Sequence, residues 1–267
     1  MSIYKIAEVY LEVKGQVNAH YWNKFKIKDV SVRADCLIEI FSKPNKTVYE
    51  LEEYILYKNM TKCYRNCGEV MATNDDWSIV QVMPPSNIEN IYSFILQGFY
   101  AHAVKRHMIQ VHSSMIEFKN KGITFIGPSG IGKTTMAELW ARYNDAKIIN
   151  GDMNYIQETP EAFLGWGTPW HGSSPYCENT SVPLKAMIVL KQSPENSIRE
   201  LTGFEKVTAV SNNVFYPRWL ENGMELCLET LDHLLSRIPV YELSCRPDEE
   251  AVKLTEETIF GSSSVSD

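Results

Sequence analysis

The chain has 267 residues, 44% of them hydrophobic and 22% charged. Those are globular proportions, enough for one large or two small domains, and they exclude wholesale disorder. With 26 Lys+Arg against 33 Asp+Glu, the net charge of −7 argues against a general nucleic-acid binder, which needs a basic face for phosphates.

Residues 1–87 read as a β-rich N-terminal domain. The stretches from Ile3 to Val13 and from Cys36 to Phe41 are rich in β-branched, aromatic and aliphatic residues, and Lys, Asn and Gly separate them. Gly68 to Met83 continues the pattern until Pro84-Pro85 stops it. The six cysteines are scattered; only Cys63 and Cys67 lie close, and no second pair completes a zinc site. Free thiols in the cytosol are the expectation. No apolar run approaches the ~18–20 residues that span a bilayer. The charged N-terminus lacks a secretory core. A cytoplasmic protein without membrane contact is therefore expected.

From Ile88 the apolar spacing (Ile91, Tyr92, Ile95, Leu96, Phe99) predicts an amphipathic helix leading into a second domain, 88–260. There Ile109–Phe118 is a strand, Lys119–Gly122 a turn and Ile123–Ile126 a second strand. Helical spacing follows at Met136, Leu139, Trp140 and Tyr143. Further strands are expected at Lys147–Ile149, Leu184–Leu190 and Val240–Cys245, and helices near Met224–Leu235 and Asp248–Ile259. This order suggests a three-layer α/β core. The Ser-rich residues 261–267 read as a disordered tail.

Between the second strand and its helix, Gly127-Pro128-Ser129-Gly130-Ile131-Gly132-Lys133-Thr134 fits G-x-x-x-x-G-K-[ST] in full. Glycines let successive N–H groups turn inward on phosphate oxygens, and the helix start adds its positive end. Lys133 would reach the β/γ-phosphates, Thr134 would face Mg²⁺, and Thr135 a more proximal phosphate. If the hairpin turn centres between Asn120 and Lys121, His112 lies opposite about Ser129. It is then either a proton shuttle or phosphate contact, or a histidine that packs at a strand start. Asp152 closes the apolar strand Ile148-Ile149, as a metal ligand, a proton acceptor or a turn residue. Gly165–Ser174 reads as a loop that either carries binding groups, with His171 a candidate substrate contact, or is structural with buried tryptophans. Arg218 would neutralise phosphate, or is a surface arginine.

Together these residues resemble the kinase domain of HPr kinase/phosphorylase and its smaller relatives. The likeness runs through Val111-His112-Ser113, the loop GPSGIGKTT, Leu139-Trp140 and the Ile-Ile-x-x-Asp segment ending at Asp152, with Ser181–Lys185 and Pro239–Asp248 beyond. It covers residues 96–260, whereas 1–85 do not resemble the N-terminal domain of the full-length enzymes. The resemblance implies an α/β P-loop kinase core of the HPr kinase/phosphoenolpyruvate carboxykinase type. It also implies ATP and Mg²⁺, and transfer of the γ-phosphoryl group to a Ser or Thr hydroxyl of a peptide or protein. Some smaller relatives phosphorylate a precursor peptide. Carried over, Lys133 binds the β/γ-phosphates, Thr134 ligates Mg²⁺, Asp152 is the metal-linked carboxylate or the base, and His112 is a catalytic-site neighbour. A homo-oligomer is a further expectation. Two departures stand out. Gly151 replaces the first of the family's two adjacent aspartates, and Gly165–Ser174 lacks the arginine of an Arg-Gly-Leu-Gly signature. Both argue against the reverse, phosphorolytic reaction and against HPr as substrate. A small-molecule kinase and a nucleotide-binding switch without turnover are the alternatives, and the β-rich domain is expected to recognise the substrate by adding a strand.

Overall fold

The computed structural model describes residues 1–17, 20–29, 31–49, 51–66, 68–83 and 88–261, with the side chains of 88–90 excepted. Pro84-Pro85, Cys67 and all but the first residue of the 261–267 tail lie outside the described residues. The chain divides into two compact units, Met1–Lys105 and Arg106–Asp267.

The first unit holds β1 (Ser2–Ile6), β2 (Val9–Lys14), β3 (Lys26–Ile27), β4 (Cys36–Ile40), β5 (Lys46–Val48), β6 (Leu51–Glu53), β7 (Lys62–Asn66), β8 (Glu69–Thr73), β9 (Ile79–Val82) and α1 (Ile88–Ala103). Seven strands form one sheet in the order β3-β1-β2-β4-β9-β8-β7, and β5–β6 is a separate hairpin. Along β2 the alternating pattern buries Val9, Leu11 and Val13 on one face. Strands β2, β4 and β9 run parallel, and α1 packs on them. Its side chains Phe94, Ile95 and Phe99 are fully buried. The amphipathic spacing therefore predicts the helix correctly, but the helix belongs to the first unit rather than opening the second. Parallel strands need their faces covered, and α1 supplies that cover.

The second unit holds β10 (Met108–Phe118), β11 (Lys121–Ile126), α2 (Lys133–Asn144), β12 (Lys147–Asn150), β13 (Met153–Glu158), β14 (Phe163–Trp166), β15 (Ser181–Gln192), β16 (Ser197–Glu200), α3 (Gly203–Ser211), β17 (Val214–Phe215), α4 (Gly223–Arg237), β18 (Val240–Cys245) and α5 (Glu249–Phe260). Two long strands organise it. The first half of β10 pairs with β13 and β17, and the second half with β11 and β12. Likewise β15 starts on β14 and continues between β11 and β18. The pairings β10–β11–β15–β14–β13–β10 thus return on themselves. This replaces the three-layer core expected from element order: strands this long outrun a single partner, and closure removes exposed edges. Met115, Ile149 and Val182 form a small cluster of their own. A larger one joins α2 and α5 to the parallel strands β11, β15 and β18 through residues such as Trp140, Phe125, Ile188, Leu243 and Val252. Among the described residues no helix is long and apolar enough to cross a membrane.

Candidate functional site

The glycine loop leaves β11 at Ile126 and enters α2 at Lys133. Gly127, Gly130 and Gly132 have φ of 144°, 79° and 112°, values that side chains resist, so the spacing of the glycines dictates the curl. Ile131 N–H donates to Pro128 O at 3.3 Å across the bend, while Ser129 and Gly130 are exposed. The first turn of α2 has no side-chain cap and no acidic residue. Its leading N–H groups therefore have no partner within the helix. Lys133 is 93% buried, and its ammonium donates to Gly127 O (3.1 Å) and Pro128 O (3.2 Å). Burial pushes its pKa below the ordinary lysine value, against the pull of Asp152.

The hairpin before the loop is tighter than the sequence suggests. Lys119 and Asn120 both have positive φ, the signature of a two-residue turn, and β11 begins at Lys121. Ser113 accordingly faces Ile126 and Phe118 faces Lys121. His112 falls level with Gly127 rather than Ser129, and its strand partner is Met153 on β13. The shift of two keeps the face of the strand, because side chains alternate with period two. His112 Nε2 stands 3.1 Å from Asp152 Oδ1. Burial first, and the Lys133 ammonium second, push His112 below the ordinary histidine pKa, while Asp152 pulls it up. A neutral ring donating Nε2–H to the carboxylate satisfies this arrangement.

The Asp152 turn is pinned to the start of α2. Gly151 O accepts from Thr134 Oγ1 at 3.1 Å and from Ser114 Oγ at 2.8 Å, and the fully buried Ser114 comes from β10. With its proton so engaged, the Thr134 oxygen keeps lone pairs for a cation. Asn213, beyond α3, binds two site strands at once: its Oδ1 accepts from Gly127 N–H (3.1 Å) and its backbone O from His112 N–H (2.8 Å).

The segment read as the loop Gly165–Ser174 begins later than expected. Gly165 and Trp166 belong to β14, which pairs with β13 and β15, so the irregular part starts at Gly167. Its far end approaches Asp152. Gly172 has φ of 56°, and a Cβ there would sit 2.7 Å from Asp152 Oδ2. A Cβ on Gly151 would overlap Ser174 Oγ, so the chain has no room for a second carboxylate beside Asp152. His171 Nδ1 lies against Ser174 O of its own loop. Arg218 is exposed just past β17, and no side-chain contact joins it to the cluster among the described residues. Thr135 is exposed on α2, facing a cavity of about 590 Å³. The cavity lies between the glycine loop, Met136, and the strand ends Leu190–Pro194 and Cys245–Pro247.

The structure thus gathers Lys133, Thr134, His112 and Asp152, and leaves Arg218 apart. Sequence reasoning missed Ser114, Asn150 and Asn213. For Asn150 a signal exists, because Asn-Gly-Asp is turn chemistry. For Ser114 and Asn213 the partners are distant in sequence and no local pattern marks them.

As donors for a divalent cation, Thr134 Oγ1, which hydrogen-bonds Gly151 O, and the carboxylate of the next residue, Asp152, are both hard oxygen donors. No group of three or more His, Cys, Asp or Glu that could hold a metal occurs among the described residues. That donor set fits Mg²⁺, which takes one or two protein oxygens and completes its shell with phosphates and water.

No protein-family model and no curated protein matches the chain. Among solved structures it is similar to the HPr(Ser) kinase/phosphatase from Coxiella burnetii, at 12% identity over 56% of this chain and 87% of that one, with a TM-score of 0.33.

Proposed function

We propose that the chain is an ATP- and Mg²⁺-dependent kinase that transfers the γ-phosphoryl group to a Ser or Thr hydroxyl of a peptide or protein. The observation that carries this reading is the pinning of the Asp152 turn, through Gly151 O, to Thr134 in the first turn of a helix whose start is left uncapped. A carboxylate and an anion-binding helix start are thereby held at a fixed separation.

In this reading the loop amides and Lys133 bind the triphosphate. Lys133 uses two donors on loop carbonyls and has a third for phosphate. The base and sugar occupy the 590 Å³ cavity, whose size suits a small ligand and which borders the same loop. Thr134 and Asp152 would hold Mg²⁺, which when bound neutralises charge on the phosphoryl oxygens. The acceptor oxygen forms its bond to the γ-phosphorus as the bond to the β,γ-bridging oxygen breaks, ADP leaving with that electron pair. The hydroxyl proton passes to the Asp152 carboxylate, which His112 orients through Oδ1. Positioning and charge neutralisation supply most of the rate.

Assays with γ-labelled ATP, Mg²⁺ and a panel of Ser/Thr peptides test this. Label on peptides is the expected result; label on free serine or a metabolite alone would point to the small-molecule kinase. A second reading, a nucleotide-binding switch, draws on the closed space at Gly151, which admits one carboxylate only. ATP binding with neither transfer nor hydrolysis would favour it. His112→Ala should lower turnover while leaving the melting temperature nearly unchanged.

A further inference from the structure

Asn150 ends β12 with a fully buried side chain. A primary amide offers two acceptor lone pairs and two donor hydrogens, and here all four are used. Its Oδ1 accepts from Asp152 N–H (2.8 Å) and Met153 N–H (2.9 Å). Its Nδ2 donates to Thr168 O (2.9 Å) and Trp170 O (3.1 Å). The pattern fixes the orientation of the amide, since a flip would set hydrogens against hydrogens and oxygen against two carbonyls.

We propose that Asn150 is a positioning residue for Asp152, binding the turn that carries the carboxylate to the loop whose Gly172 walls it. The claim rests on the kinase reading for its consequence in turnover, though not for its geometry. The other side of the turn is already fixed: Gly151 O is held by Ser114 and Thr134, and Asp152 O accepts from Ser113 N–H at 2.9 Å. Gly151 N–H donates to Tyr176 O, and among the described residues it is Asn150 that accepts from the Asp152 and Met153 amides. Without it the Asp152 peptide can rotate about its carbonyl anchors, and the loop at Thr168–Trp170 loses its tie to the strand end. An aspartate at 150 would keep both acceptors but oppose two carbonyls. A serine would keep one acceptor for the N–H two residues on and lose the loop tie.

The test compares Asn150→Ala and Asn150→Ser with the full-length wild type, on the peptide acceptor the wild type uses. A displaced carboxylate should cost Asn150→Ala about 10²-fold in kcat. The KM for ATP should stay within about threefold, because the glycine loop is untouched. Asn150→Ser should recover about tenfold of the loss by restoring the local turn. Wild-type kcat in Asn150→Ala, an equal loss in both variants, or a KM for ATP that rises in step with the loss would overturn the claim. Amide hydrogen exchange on the nucleotide-free protein reads the same device without turnover. The Asp152 and Met153 amides should exchange at least about tenfold faster in Asn150→Ala, with β11 and α2 unchanged. Unchanged exchange at those two amides would overturn it as well. A wild type that transfers phosphate to no acceptor would end the kinase reading and leave exchange to decide for or against Asn150.

Discussion

Helices α2 and α5 have the same length, 12 residues, and pack in the same apolar cluster, yet they begin in opposite ways. At the start of α5, Asp248 accepts from Ala251 N–H at 3.0 Å, and Glu249 and Glu250 occupy the first turn. Its dipole is answered by the chain's own acids. At the start of α2 a left-handed glycine stands at the cap, no side chain closes the first turn, and a lysine is buried there instead of an acid. One helix start is finished by its sequence, and the other has no side-chain cap and no acid; in the proposed function an anion from outside fills it. A buried ammonium and uncapped amides weaken the empty protein. The two carbonyls that accept from Lys133 offset part of that cost, and in the proposed function a ligand of opposite charge offsets the rest.

The largest way to break this comparison is at the acid the open start faces. Asp152→Asn should lower the transfer rate by roughly 10²–10⁴-fold while ATP affinity holds, read by single-turnover transfer beside a binding titration. Lys133→Met removes the buried charge: ATP should bind about 10–100-fold more weakly, whereas the melting temperature of the nucleotide-free protein should not fall. A drop in both would mean the ammonium is structural. Thr135→Glu gives α2 the acidic first turn of α5. We expect roughly fivefold weaker ATP binding and a small rise in apo stability, measured by calorimetry and thermal melting. The converse change, Asp248→Ala on α5, should cost about 1 kcal/mol of stability in denaturant titration and leave ATP affinity unaltered.

These contrasts also separate what was legible in the chain from what was not. The glycine loop is a local device, because three glycines at fixed offsets between an apolar strand and an apolar helix permit one curl. The placing of Lys133 and Thr134 in the first turn of α2 follows from that curl and the helix after it. His112 and Asp152 are adjacent for another reason: β10 pairs with β13, and a two-residue turn sets the register with β11. The sequence pointed to the right face of β10 but placed His112 two residues along, since the turn could be centred in more than one way. The helix α1 was legible from its spacing, while its attachment to the first sheet depended on which strands needed cover.

By itself, then, the sequence marked α1, α2, α4, α5 and the strands with long apolar runs, the phosphate-type loop and the acid beyond the strand end, all of which rest on interactions within a few residues, whereas β13, β14, β16, α3 and β17 were not legible. Only the tertiary structure decided that the strands of the second unit close on themselves. It also decided that Gly151 is walled by Ser174, and that Ser114, Asn150 and Asn213 tie the loop, the histidine and the carboxylate together. The physical reason is the reach of hydrogen bonds and side-chain contacts: they act over about 3–4 Å in space, and here Asn150, Ser114 and Asn213 reach partners 18, 37 and 86 positions away.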